Sequence, residues 1–229
     1  TFERVSFDLI YARQNQTLQG WRDELTQALS MAIDHLSLYQ LTIEGGTAFG
    51  DRYAAGKLRG LPDEDRAADM FELTQELCDQ HGFPAYEVSN HAKSGSESIH
   101  NKIYWKYGDY VGIGPGAHGR LTLKGQKFAT ETHLTPGRWL KSVTENASGE
   151  SERTLLSSED QVTEFLLMGL RLNEGVDLGR LPDAAVQKLG YKINELSDSG
   201  FIERSGDLLT ATSAGRPVLN GVLRHLLDD

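Results

Sequence analysis

Two kinds of apolar run alternate along the first ninety or so residues, and that alternation constrains the fold more than any other feature. Val5, Phe7, Leu9, Ile10 and Tyr11 read as a buried strand within an extended pattern that starts at Phe2. Leu18, Trp21, Leu25, Ala28, Leu29 and Ala32 then repeat at helical spacing. Leu36 to Ile43 reads as a second strand, Asp63 to His81 as a helix stopped by Gly82, and Ala85 to Val88 as a third short strand. Strands separated by helices of this length predict βαβ units with a parallel sheet, because parallel neighbours need a long crossover. Ligands of such sheets bind at the carboxyl ends of the strands, where Asn90, His91 and the loop to His100 are expected.

Further along, Tyr110 to Thr132 reads as a strand and hairpin turning at Lys124-Gly125-Gln126. The character changes after Gly149. A polar stretch, Asn146 to Ser158, precedes helical patterns at Val162, Phe165, Leu166, Gly169 and Leu170 and at Val186, Leu189, Ile193 and Leu196. Phe201 to Thr212 has the form of a hairpin turning at Ser205-Gly206-Asp207, and Ala214 to Leu227 closes as a helix. Helices plus a hairpin predict a winged-helix-like module, so the expected division is an α/β part over 1–149 and an α+β module over 150–229. The chain begins without methionine, directly on a strand pattern, which reads as a fragment.

Charge narrows the functions available. Among 229 residues the formal net charge is -10, which opposes contact with nucleic-acid phosphates or acidic membranes. The helix that would read a DNA groove offers only Lys188 and Lys192 against Glu195 and Asp198, so packing is the expected role of the winged module. No apolar run approaches a membrane span and no signal peptide is visible, which points to a cytoplasmic protein without an integral membrane segment. Cys78 is the only cysteine and sits beside an apolar helical stripe, as an inert, partly buried thiol would.

The run His100-Asn101-Lys102-Ile103-Tyr104-Trp105, with Gly112-Ile113-Gly114-Pro115-Gly116-Ala117-His118 after it, carries the chemistry. Imidazoles can hold iron or a proton, aromatics can lie on a flat ligand, and glycines let backbone approach it. The same residues could instead cap local backbone and fill space, and spacing alone leaves both open.

Six motifs in order resemble a known family. They are Asp8-Leu9-Ile10-Tyr11, His35-Leu36-Ser37-Leu38-Tyr39, Leu41-Thr42-Ile43-Glu44 with Gly46-Thr47, Tyr86-Glu87-Val88-Ser89-Asn90, His100-Asn101 with Tyr104-Trp105, and the Gly112 to His118 stretch. Together they resemble the radical SAM heme chaperones of the HemW type, which are similar to oxygen-independent coproporphyrinogen III oxidase. The resemblance implies an α/β fold, the last part of a partial (β/α)6 radical SAM barrel followed by a small winged-helix-like α+β C-terminal domain.

It also implies three cofactors: heme, S-adenosylmethionine, and a 4Fe-4S cluster whose three cysteines are not in this chain. Carried over by motif, Asp8, Thr42, Gly116, Ala117 and His118 would contact S-adenosylmethionine. His100, Asn101, Tyr104 and Trp105 would form the heme-associated element, with His100 the candidate iron ligand. The implied function is binding heme and passing it to acceptor hemoproteins. The alternatives are the oxidase, which decarboxylates porphyrinogen propionates, and a plain interaction module that binds no heme. Three departures stand out: Ala12, Gln14 and Asn15 where the family often has a Gly-x-Pro-Gly-like turn, Gly46 for a frequent proline, and Gly119 for a frequent serine. The last two are expected to conserve backbone shape.

Overall fold

The structure, a computed structural model, describes residues 4–228, so the Phe2 end of the first strand pattern lies outside the described residues. The chain divides into two compact units, Thr1–Ser98 and Ile99–Asp229, each taken by itself below.

In the first unit, β1 (Ser6–Tyr11), α1 (Leu18–Met31), β2 (His35–Gln40), α2 (Ala48–Ala54), α3 (Glu64–Gln80) and β3 (Asn90–Ala92) follow in order. Thr17 caps α1 by accepting from the Gly20 amide, and Asp63 caps α3 by accepting from Arg66. Acidic Glu64 and Asp65 then sit where the helix dipole favours them. The helices bury Trp21, Leu25 and Leu29 against Met70, Leu73 and Leu77. At the centre Trp21 stacks on Tyr11 at 5.2 Å and donates its indole N–H to Thr74 Oγ1 at 2.9 Å.

Strands β1 and β2 pair in parallel from Ser6↔His35 to Tyr11↔Gln40, as a βαβ unit requires. The third strand departs from expectation. It falls at Asn90–Ala92 and runs antiparallel to β2, with Ser37 opposite Asn90 and His35 opposite Ala92. The reason is a buried carboxylate. Glu87 accepts from the Ser89 amide, the Ser89 hydroxyl and Asn90 Nδ2, which folds 86–90 into a turn and leaves Ala85 bridging His91. Asn90 and His91 therefore do not lie at the carboxyl ends of the parallel strands. The chain after them returns to the amino end of β2, where Lys93 donates to the Asp34 carbonyl and Arg4 reaches Ser96.

Two further expectations are corrected. As the outer strand of the described sheet, β1 is not a buried strand, and Phe7 and Ile10 stand 36% and 46% exposed. The second strand stops at Gln40, and Leu41 to Glu44 leave the sheet.

The second unit opens with α4 (Ile99–Trp105), then β4 (His118–Leu123), β5 (Gln126–Thr132), α5 (Pro136–Asn146) and β6 (Glu150–Leu155). Lys124 and Gly125 join β4 to β5 with φ of 53° and 79°, the geometry of a tight hairpin whose twist matches its strands. The polar stretch expected to be a break contains β6, paired antiparallel to β5. Both of its faces are largely exposed, so no apolar alternation announced it.

The helical module is α6 (Ser158–Gly169), α7 (Asp183–Asp198) and α8 (Leu219–Leu227), with β7 (Val176–Asp177), β8 (Ile202–Ser205) and β9 (Leu208–Ala211) ordered β7-β9-β8. Ser157 and Asp160 form a reciprocal capping box that starts α6. Leu166, Leu170, Ile193, Leu209 and Leu226 are fully buried, giving the module its own core. No helix among the described residues is long and apolar enough to cross a membrane.

Candidate functional site

Strand residues alternate between faces, and in β1 and β2 the two faces differ in chemistry. Leu9, Tyr11, Leu36 and Leu38 join the core beneath α1 and α3. Ser6, Asp8, Ile10, His35, Ser37 and Tyr39 consequently face the other way, and Asn90 joins them opposite Ser37. Ligand-binding groups of βα units gather at the carboxyl ends of the strands, which on this face carry Ile10 and Tyr39. His35 is held between the Ser6 hydroxyl at 2.7 Å and the Tyr86 hydroxyl at 2.9 Å. Burial pushes its pKa down, against the upward pull of Asp34 and Asp8. Sequence reasoning passed over Ser37, although its alternation with Leu36 and Leu38 was the available signal.

At the carboxyl end of β1 the face opens into a cleft of 690 Å³ whose walls include Asp8, Ile10, Arg13, Glu24, Leu41 and Phe49. The loop shaping it keeps its turn without the family's glycines: Ala12 and Asn15 take left-handed φ of 58° and 59°. Asn15 is pinned through its amide to the Gly60 carbonyl at 2.6 Å. Thr42, expected on a strand, lies in the segment beyond β2, exposed, with its hydroxyl on the Gln40 carbonyl at 3.3 Å. Its neighbour Leu41 is the residue that reaches the cleft. Gly46 adopts φ of 77°, which proline cannot, so this departure changes the turn before α2 and is not conservative.

In the second unit the His100 to Trp105 run lies on a helix, α4, where a loop was expected. Seven residues are too few for an apolar period to declare itself. Helical spacing puts His100 and Tyr104 one turn apart on one side, and Asn101 and Trp105 on the next. His100 is exposed, while Tyr104 and Trp105 are half-buried. The Tyr104 ring meets the Trp105 ring edge-on at 5.0 Å and that of Tyr110 at 5.1 Å, and the Arg171 guanidinium lies 5.5 Å from Trp105. An exposed imidazole one turn before an anchored aromatic pair fits the demands of heme: a neutral nitrogen for iron and a rigid apolar edge.

Gly116, Ala117 and His118 form the far end of the glycine turn. Gly114 and Gly116 have φ of 102° and 69°. Thr132 staples the turn, its hydroxyl donating to the Gly114 carbonyl at 2.6 Å and accepting from the Ala117 amide at 2.8 Å. His118 faces Glu131 across the hairpin at 3.6 Å, with its side chain 61% exposed. A Cβ on Gly119 would stand 2.5 Å from Thr130 Oγ1 and 2.9 Å from the Gly112 amide nitrogen, so the family's frequent serine does not fit this packing as it stands. Asp8 and Thr42 belong to the first unit, and His100 to Trp105 and Gly116 to His118 to the second.

Cluster chemistry does not fit this chain. Cys78 is fully buried in α3, and burial pushes its thiol up to about 12. Among the described residues no group of three or more His, Cys, Asp or Glu side chains is placed to hold a metal ion.

Comparison with known proteins accounts for this pattern. The HemN C-terminal domain family matches residues 156–218, the helical module. Over all of its length the chain is 34% identical to heme chaperone HemW of Lactococcus lactis, covering 60% of that protein. It is 32% identical to heme chaperone HemW of Escherichia coli, over 97% of this chain and 57% of the relative. Along its whole length the chain is similar to HemW-type radical SAM proteins. A third relative, the mitochondrial radical S-adenosyl methionine domain-containing protein 1 of Danio rerio, is 34% identical over 98% of this chain and 53% of its own length. The chain thus spans little more than half the length of these relatives. Its fold matches part of coproporphyrinogen III oxidase from Escherichia coli, a radical SAM enzyme, with a TM-score of 0.75. That match covers 99% of this chain and 55% of the other at 17% identity. Among the described residues the sheets are small and no barrel closes, as for the last part of a partial (β/α)6 barrel followed by the winged-helix-like module.

Proposed function

We propose that the chain binds heme and hands it to acceptor hemoproteins as part of a HemW-type heme chaperone. The observation carrying this reading is α4, which presents His100 to solvent one turn before the anchored Tyr104 and Trp105. His100 is the proposed iron ligand, Asn101 the amide beside it, and Tyr104 and Trp105 the porphyrin contacts. Asp8, Thr42, Gly116, Ala117 and His118 are the proposed S-adenosylmethionine contacts. The 4Fe-4S cluster that chelates S-adenosylmethionine would take its cysteines from outside this sequence, since Cys78 is sealed in a helix core. Functionally the chain is divided at about 149–150, with the barrel part before and the winged-helix-like module after.

The test is heme titration of the full-length, cluster-loaded protein. His100→Ala is expected to shift or abolish the Soret band, and an unchanged spectrum and affinity removes His100 as ligand. Conversion of coproporphyrinogen III to protoporphyrinogen IX by the same preparation would sink the chaperone-only reading in favour of an oxidase.

A further inference from the structure

We infer that a cavity in the second unit, just past the end of α4, binds a carboxylate carried on a short apolar arm, with Arg180 as its charged partner. The inference stands whether or not the chain binds heme. The cavity measures 310 Å³, and its walls include Tyr107, Lys127, Val162, Phe165, Arg180 and Leu181. That volume is at the lower end of what small-molecule sites occupy, enough for a small acid and too little for a whole porphyrin. No acidic side chain lines it, and its two cations stand among aromatic and aliphatic walls.

The two cations differ in what they already hold. Lys127 is buried and balanced: its ammonium donates to the Tyr107 carbonyl at 2.9 Å and to Asp109 Oδ1 at 3.2 Å, and it lies 4.0 Å from the centre of the Tyr107 ring. Among the described residues Arg180 has no carboxylate partner. One of its N–H groups reaches the Lys106 carbonyl at 3.3 Å, and its guanidinium lies 4.7 Å from the centre of the Phe165 ring. The acids nearby in the sequence are already taken. Glu164 sits in the fork of Arg120 at 2.7–3.1 Å, and Glu174 pairs with Lys106 at 2.6 Å. Arg180 is therefore the unbalanced charge, and a guanidinium with donors to spare matches a carboxylate bidentately. One surplus positive charge suits a monoanion, because a doubly charged phosphate would bring a second charge against Val162, Phe165 and Leu181. The carbonyl bonds to Lys106 and Tyr107 fix both cations at the end of α4 before any ligand enters.

The experiment is calorimetric titration of the full-length, cluster-loaded protein with 3-phenylpropionate, with 3-phenylpropanamide as the probe lacking the charge. The acid is expected to bind at least about tenfold more tightly than the amide, the order of one hydrogen bond to a charged group. Arg180→Gln is expected to remove that difference at an unchanged unfolding midpoint, and Arg180→Lys to restore part of it. Absence of 3-phenylpropionate binding, or equal affinity in wild type and Arg180→Gln, overturns the inference. Loss of binding together with a lowered unfolding midpoint also overturns it, because Arg180 then only caps α4. The same arm occurs on free small acids and on the propionates of a porphyrin, and heme titration separates the two sources. If the site serves a porphyrin, 3-phenylpropionate competes with heme, and Arg180→Gln weakens heme but not heme dimethyl ester. If it serves a free acid, neither the probe nor the variant changes heme binding, and the site stands on the 3-phenylpropionate result.

Discussion

Thr132→Val isolates the staple that shapes the glycine turn. The substitution keeps side-chain volume and β preference, and it keeps the backbone bond from the Thr132 amide to the Ala117 carbonyl at 2.9 Å. It deletes the hydroxyl, and with it the bonds to the Gly114 carbonyl at 2.6 Å and from the Ala117 amide at 2.8 Å. Two hydrogen bonds at roughly 0.5–1.5 kcal/mol each, both to part-buried groups that water can partly recover, give an expected cost of about 1–2 kcal/mol. The loss is local. Native-state hydrogen exchange should report it at the Ala117 amide, whose protection is expected to fall by roughly tenfold, since about 1.4 kcal/mol is a factor of ten. Thr132→Ser retains the oxygen and should keep most of the protection. Unchanged Ala117 protection in Thr132→Val would refute the claim that this hydroxyl holds the turn, and with it the idea that the turn's shape is set from β5.

Four further outcomes follow from the described geometry. Thr74→Val should lower stability by about 1–3 kcal/mol in urea titration, because it leaves the buried Trp21 indole N–H without an acceptor. Ala12→Gly should raise stability by about 0.5–1 kcal/mol, the left-handed strain of alanine less the entropy glycine loses on folding, and a lower midpoint would show that the strain is absent. The folded-state pKa of His35 lies below its ordinary value, so its contribution is full above the unfolded pKa and is lost as pH falls through the folded one. Stability measured against pH should therefore lose a component below about 6.5 that His35→Gln removes. Cys78 should resist thiol reagents at neutral pH until the chain unfolds, and rapid labelling of native protein would contradict its burial.

The legible parts of the fold are those with a period long enough to repeat. Helix α1 was expected from Leu18 to Ala32 and runs Leu18–Met31, and α3 ends at the His81 cap just before Gly82, because an apolar stripe and capping residues act locally. The hairpin turn at Lys124-Gly125 was legible for the same reason. Three of the elements that escaped show why. Helix α4 is shorter than two full apolar repeats, and β6 is an edge strand whose faces are both wet. Strand β3 is displaced by Glu87, a carboxylate whose decisive bonds to Ser89 and Asn90 exist only once the turn has formed. Nothing in the pattern of residues 85–92 separates a strand from that turn, since both are short and mostly non-helical.

The same distinction governs the site. Motif likeness located Asp8, His100 and the Gly116 to His118 turn by residue type, yet which of their neighbours matter depends on the face they share. Alternation across β1 and β2 puts Asp8 with Ser37 and His35 on the side away from the helices, and the exit from β1 brings Arg13, Glu24 and Phe49 around one cleft. What the cleft presents depends on charge pairing that requires structure: Arg13 pairs with Glu24, which leaves Asp8 as the other carboxylate of its lining. The departure at Ala12 then matters functionally as well as energetically. A left-handed alanine tolerated at the mouth of the cleft is strain kept where a loop must hold its side chains for a ligand, and relieving it with glycine should stabilise the fold while loosening the wall that carries Arg13.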